Sequence, residues 1–198
     1  MKIADKKALK RESIIQAALQ LFSLHGFHKT TIPDIAEKLH MSVGNLYNYF
    51  SSKDILAKEI IKYTSEVLGE EIRSVNLQEI SSQEKITKIV EIYFTMAKEK
   101  PEMIEYFLRV YLSHREVFKD GCEGMTCVSG FITEIMIFFD DGVSSGELRN
   151  QDFFSAFGLF MGYLGGMVFL KGEEILPKAL DEYIDDISRN IYYALKSE

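Results

Sequence analysis

Between Lys29 and Lys53 the chain reads KTTIPDIAEKLHMSVGNLYNYFSSK, a single short stretch that starts a helix three times and turns tightly between two of the starts. Few folds accommodate such a run, because each start needs its own cap and each apolar face its own neighbour. Thr31 is placed to cap a helix whose third residue is Asp34, so that hydroxyl and carboxylate satisfy orphan amides reciprocally. Pro33 falls in the first turn, where a missing N–H costs nothing. Ile32, Ile35, Ala36 and Leu39 then share one apolar face. The pattern breaks at His40 and Met41. Ser42 offers a second cap, to a short helix over Val43 to Phe50 with Leu46 and Phe50 turned inward at i, i+4. Ser51 offers a third, with Asp54 three residues on.

Helix, tight turn and short helix is the helix-turn-helix arrangement, in which the second helix lies in the major groove and presents its N-terminal residues to base edges. The side chains turned away from Leu46 and Phe50 suit that position. Asn45 and Asn48 carry amides, Tyr47 and Tyr49 carry phenols, and Gly44 lets backbone come close. An asparagine pairs bidentately with adenine, and Val43 has only an apolar contact to offer, as to a thymine methyl. Lys53 stands at a helix N-terminus, where amides already favour anions. Two blander readings stay open at this point: Tyr47 and Tyr49 as half-buried packing residues, and Asn45 as an extension of the Ser42 cap.

The net charge of −7 argues against nucleic acid until its distribution is examined. Residues 1–55 hold eight Lys/Arg against five acids, a net of +3, and the remainder holds fifteen against twenty-five, a net of −10. A basic first quarter on an acidic body suits a chain that sets one end on phosphates. The segment MKIADKKALKRES has no apolar core of a secretion signal, and two cysteines, Cys122 and Cys127, make no disulfide framework. A reduced, cytoplasmic setting is expected.

No alternation of strand type occurs, so the fold class is all-α, with about nine helices. Residues 1–9 read as a charged, frayed arm. From Lys10 the positions Ile14, Ala17, Ala18, Leu21 and Phe22 mark a helix closed by Gly26, and Phe27 turns back onto it. A long helix over 53–75, roughly 34 Å by its rise per residue, links a head (1–52) to a body (53–198) and belongs to both. Ser81 or Ser82 caps the next helix, which carries Ile86, Ile89, Val90, Tyr93, Phe94 and Ala97. Pro101 opens another, with Met103, Phe107, Val110, Tyr111 and His114 on one face. A further helix runs through Phe131, Ile132, Ile135, Phe138 and Phe139. Phe153 to Leu170 contains no charge, touches the lower length limit of a membrane span, and sets Gly158, Gly162, Gly165 and Gly166 on one side. A single short segment of this kind fits close helix contact in a dimer without a membrane. The last helix, Leu176 to Lys196, carries a stripe of Leu180, Ile184, Ile187, Ile191 and Leu195. These two terminal helices predict a four-helix bundle across a two-fold axis, with Gly158, Gly162, Gly165, Gly166, Ile184, Ile187 and Ile191 at the interface.

Leu21-Phe22, Gly26-Phe27, Thr30-Thr31, Ile35-Ala36, Ser42, Gly44, Leu46-Tyr47, Tyr49-Phe50 and Lys53 are spaced as in the head of the TetR family of bacterial transcriptional regulators, and residues 10–60 resemble that family closely. The resemblance implies phosphate contacts for Thr31, Tyr47, Tyr49 and Lys53, and places Ser42, Val43, Gly44, Asn45 and Asn48 nearest the bases. Asn45 stands where members often carry Thr, which leaves the operator sequence open. The resemblance further implies a homodimer on a near-palindromic double-stranded operator, a repressor by family habit, and release by a small-molecule effector. It places the effector cavity in the C-terminal helices. Apolar or aromatic lining candidates there are Tyr93, Met96, Met103, Phe107, Tyr111, Phe131, Ile135 and Phe138, with His114 as the polar one, though each also serves as ordinary core.

No cofactor or metal site is expected: on one helix, Cys122 and Cys127 would point about 140° apart. The acid pairs Asp140-Asp141, Glu173-Glu174 and Asp185-Asp186 read as solvated faces. No nucleophile and base, phosphate loop or HExxH stretch occurs, so an enzyme is not expected. The competing expectation is a helical protein that binds small molecules or associates with membranes and has no DNA function.

Overall fold

The computed structural model describes the backbone of residues 3–113 and 127–198 and the side chains of residues 5–108 and 127–198. Among these residues the helices are α1 (Ile3–His25), α2 (Ile32–Lys38), α3 (Val43–Tyr47), α4 (Lys53–Asn76), α5 (Ser82–Glu99), α6 (Pro101–Ser113), α7 (Ser129–Ser144), α8 (Phe153–Gly172) and α9 (Ile184–Leu195). A 3-10 turn over Leu180–Tyr183 precedes α9, and among the described residues extended pairing is confined to one antiparallel bridge between Leu148 and Lys196. The protein is all-α.

Contacts group the chain into two units, one of Met1–Thr64 with Lys100–Cys127, the other of Ser65–Glu99 with Val128–Glu198. The division falls inside α4, so its first three turns belong with the head. The head also takes in α6, well beyond the expected boundary at residue 52. In that first unit Ile14, Ala18 and Phe22 of α1, Ile35 and Ala36 of α2, Leu46 and Phe50, and Leu56, Ala57 and Ile60 of α4 are all essentially inaccessible. α6 packs along α1, with the Tyr106 ring stacked on Phe22 at 5.8 Å between centroids. Arg11 pairs with Glu59 at 2.8 Å, and the Tyr63 hydroxyl donates to Glu12 at 3.3 Å, which ties α4 to α1 as well.

Several boundaries differ from the sequence expectation for local reasons. The arm expected to fray is helical from Ile3, because Ala4, Lys6, Lys7, Ala8, Leu9 and Lys10 are all good helix formers and no breaker stands among them. α3 ends at Tyr47 instead of Phe50, its last turn tightening as Tyr49 N–H and Phe50 N–H both donate to the Leu46 carbonyl at 2.9 and 3.1 Å. Ser52, not Ser51, caps α4, its hydroxyl accepting from Ile55 N–H at 3.1 Å. Pro177 and the left-handed Glu174 (φ 55°) delay α9 until Ile184.

In the second unit α9 lies along α5 and turns Ile187, Ile191 and Leu195 inward, at 2%, 0% and 0% exposure. Ile187 and Ile191 are therefore core residues of their own chain, a correction to their placement on a dimer face: periodicity locates an apolar stripe but not what covers it. Ile184 is half-buried. α8 buries Ala156, Phe157, Phe160, Leu164 and Met167 and leaves Phe154, Gly158, Gly162, Gly166 and Phe169 as an exposed stripe, with Gly165 half-buried beside it. Phe157 meets Phe131 edge-on at 6.1 Å, and Phe160 meets Phe138 and Phe139 at 6.3 and 6.4 Å. Among the described residues α8 alone is long and apolar enough to cross a membrane, a property it shares with core helices of its length.

α4 and α7 cross at their backbones. A Cβ added to Gly69 would stand 2.8 Å from the carbonyl carbon and oxygen of Gly130. Val128 offers α7 no side-chain cap, and the Phe131 N–H donates instead to the buried Ser65 hydroxyl of α4 at 3.1 Å. Further along, Asn76 donates through Nδ2 to the Glu134 carbonyl at 2.9 Å and carboxylate at 3.0 Å. The nearly buried Lys85 donates to the Asn76 carbonyl at 3.1 Å.

Candidate nucleic-acid interface

α2 begins as its sequence dictates. Asp34 N–H donates to Thr31 Oγ1 at 3.4 Å, while Asp34 Oδ2 accepts from the Thr31 amide at 2.7 Å and from the Thr31 hydroxyl at 2.8 Å. Those bonds, the hydroxyl first and the amide second, hold the Asp34 carboxyl below its usual range. α2 stops where His40 turns left-handed (φ 50°): His40 N–H reaches the Glu37 carbonyl and Met41 N–H the Ala36 carbonyl, both at 3.0 Å. This is the paired closure usually built on glycine, here accepted by a histidine.

Ser42 then caps α3, accepting from Asn45 N–H at 3.2 Å. Leu46 and Phe50, at 0% and 1% exposure, pin α3 from behind, and the Arg11 guanidinium lies 4.7 Å over the Phe50 ring. The outward side is Ser42, Val43, Gly44, Asn45, Tyr47 and Asn48, all exposed, with Tyr49 half-buried beside them and Thr31 exposed at the start of α2. A side chain at Gly44 would meet nothing within 4 Å, so the backbone there is open to whatever approaches. Tyr47, at 49% exposure, is a surface residue rather than packing, and Asn45 contributes its amide N–H to the cap while its side chain stays on the exposed side.

Lys53 stands apart from the other expected contacts. Its Nζ donates to the carbonyls of Phe27 at 2.9 Å and Thr30 at 3.0 Å and lies 4.3 Å from the centroid of the Phe27 ring. The ammonium expected at a phosphate is engaged inside the head. Thr30, which the family spacing includes without a role, is 1% exposed and donates toward the carbonyls of Leu21 at 3.1 Å and Gly26 at 3.0 Å. Its position four residues beyond the helix-ending Gly26 was the available signal.

The expected effector residues Tyr93, Met96, Met103, Phe107, Phe131, Ile135 and Phe138 are all buried. The side chain of Tyr111, and His114 and Cys122 altogether, lie outside the described residues. Burial raises the Tyr93 hydroxyl above its usual pKa, and among the described residues that hydroxyl has no hydrogen-bond partner. A described cavity of about 310 Å³ in the second unit is bordered by Phe139, Val143, Phe153 and Arg149, and by none of the expected lining residues. No group of three or more His, Cys, Asp or Glu suited to a metal occurs among the described residues.

Residues 14–60 match the family described as "Bacterial regulatory proteins, tetR family". The curated HTH-type transcriptional regulator BetI of Agrobacterium fabrum is 28% identical over 104 residues, 52% of this chain and 50% of BetI; the chain thus aligns with about half the length of this relative. Among solved structures, a TetR family transcription regulator from Marinobacter aquaeolei superposes with a TM-score of 0.79 at 18% identity, covering 100% of both chains. The Bacillus subtilis transcriptional regulator FadR, solved in complex with stearoyl-CoA, superposes with a TM-score of 0.76 at 17% identity over 91% of this chain and 97% of its own. At these identities the structures speak for the fold.

Proposed function

Through residues 14–60 the chain belongs to the TetR family of bacterial regulatory proteins, and on that premise we propose that it is a transcriptional regulator that binds a near-palindromic DNA operator as a homodimer and lets go when a small molecule binds its second unit. The observation that carries the reading is the exposed row Ser42, Val43, Gly44, Asn45, Tyr47 and Asn48 on a short helix held from behind by Leu46 and Phe50. The row runs along the second helix of the motif, the element from which such a motif reads bases. Asn45 and Asn48 read base edges, Val43 offers a methyl contact, and Tyr47 and Tyr49 donate to phosphates, with the exposed Thr31 beside them. The basic balance of residues 1–55 supports the same end of the molecule as the DNA-facing one.

The exposed Phe154, Gly158, Gly162, Gly166 and Phe169 stripe of α8 supports dimerisation through that helix, since small residues between two aromatics admit a close second helix. The effector is apolar or aromatic and carries a hydrogen-bond acceptor for the Tyr93 hydroxyl, which is buried with no partner among the described residues. The reading makes the protein a repressor of the cytoplasmic compartment.

Selection from random-sequence duplexes tests the proposal directly. Recovery of one inverted-repeat sequence, bound by a species of twice the chain mass in light scattering, is the expected result. Recovery of no preferred sequence, or a monomer at micromolar concentration, would defeat it. Long-chain acyl-CoA and aromatic acids are the first effector probes, scored by thermal shift and by loss of operator binding.

A further inference from the structure

We propose that Lys53 is a positioning residue: its ammonium is an internal strut that fastens the entrance of the helix-turn-helix to its exit, and it makes no contact with the DNA backbone. The consequence for binding rests on the DNA-binding reading above; the strut itself rests on geometry. An ammonium has three N–H donors and no acceptor. Two of them go to the carbonyls of Phe27 and Thr30, at 2.9 and 3.0 Å, and the remaining face of the charge lies 4.3 Å from the Phe27 ring centroid. A phosphate would have to compete with both carbonyls and the ring for this ammonium. Phe27 is itself held edge-on to the buried Phe22 at 5.4 Å, so the ring under the charge is fixed.

The position of the strut gives it its effect. Thr30 immediately precedes Thr31, the N-cap of α2, and Lys53 is the first residue of α4, directly after Ser52 and the turn that follows α3. One side chain therefore closes the segment that contains α2 and α3. Those helices have seven and five residues, far below the length at which a helix holds by itself in water. Between them Thr30 and Lys53 also collect the carbonyls of Leu21, Gly26, Phe27 and Thr30, where α1 ends and the chain turns. Removing the ammonium opens the bracket around the reading helix and leaves two carbonyls without a donor.

Positioning and phosphate contact predict different salt behaviour. Operator affinity of the full chain is measured by anisotropy between 50 and 200 mM salt, at a temperature where circular dichroism shows each variant folded. Lys53→Met, which keeps the stem and removes the donors, is expected to weaken binding at least tenfold with the slope of log K against log salt unchanged. Lys53→Arg, which restores charge and donors, should recover most of that loss. A slope flattened by about one unit, as a lost phosphate contact produces, or an unchanged affinity in Lys53→Met, overturns the proposal. Should Lys53→Met fail to fold, the unmodified chain decides through the nitrogen resonance of the Lys53 ammonium. A slowly exchanging signal in the free protein, unmoved on adding operator, is expected; a signal that appears only with DNA overturns the strut. If the chain selects no DNA at all, the regulator reading falls, and the free-protein resonance still decides the strut.

Discussion

The reading head and the α7–α8 pair of the second unit both bury their apolar side chains, yet their helices are capped by different means. α2 and α3 are fastened by residues three to five apart: Thr31 with Asp34, Ser42 with Asn45, Met41 with Ala36. α7 has no local cap and depends on Ser65, 66 residues earlier in the chain, and on direct backbone contact between Gly69 and Gly130. Local fastening leaves the outer face of α3 unused and available to a partner. Long-range fastening turns the second unit's chemistry inward, where the Phe131, Phe138 and Phe160 rings and the orphan Tyr93 hydroxyl lie. The difference teaches that a surface site and an interior site need different scaffolds: short capped helices for the first, long helices crossing at glycines for the second.

The sharpest break in that comparison should come from Phe160→Ala, which empties a fully buried site on α8. A loss of about 3–5 kcal/mol is expected in urea unfolding, with the base preference of the remaining folded protein unchanged. A smaller loss would mean that the second unit is less tightly packed than its rings suggest. Gly69→Ala follows, because its methyl would stand 2.8 Å from the Gly130 backbone, which yields far less readily than a side chain. About 1–3 kcal/mol of destabilisation is expected. The reciprocal Gly130→Ala meets Ser65 O only at 3.5 Å, an ordinary contact, and should be neutral or slightly stabilising. Equal costs for the two variants would place the crossing elsewhere.

In the head the balance reverses. Asn48→Ala should leave unfolding within about 0.5 kcal/mol while removing about 1–3 kcal/mol of preference at one base position, scored by repeating the duplex selection. Loss spread evenly over all sequences would make Asn48 a backbone contact. Thr31→Ala is expected to cost about 1 kcal/mol of stability at neutral pH. The bond to Thr31 lowers the Asp34 carboxyl in the folded head, so the charged capping box stabilises above the ordinary carboxylate pKa, and that contribution is lost as pH falls through the lower folded value. The gap between the unmodified chain and Thr31→Ala should therefore narrow on acidification, and a gap constant with pH would remove Asp34 from the cap. Ser81 and Glu84 form the same reciprocal box at the start of α5, with Glu84 lowered by the Ser81 hydroxyl and then its amide. Ser81→Ala should show the same acid behaviour in the other unit.

Features set by near neighbours were legible before any coordinates. The Thr31 capping box, the Ser42 cap, the left-handed Gly26, the inward Leu46 and Phe50 and the outward amides all follow from spacings of a turn or two. Where neighbours offered two solutions the reading erred by a residue, as with Ser51 and Ser52, because both hydroxyls precede the same helix.

The sequence by itself determined the all-α class, the order of the helices and the face of α3 turned to solvent, since periodicity and caps are properties of adjacent residues. Only the tertiary structure decided where apolar stripes went and what charged atoms touched. Ile187 and Ile191 form as regular a stripe as any contact face, and α5 covers them. Lys53 stands at a helix start that favours an anion, and Phe27 and Thr30, 26 and 23 residues away, already hold its ammonium. A hydrophobic period or a charge fixes what a residue needs; the partner that meets the need is chosen by the packing of distant parts of the chain.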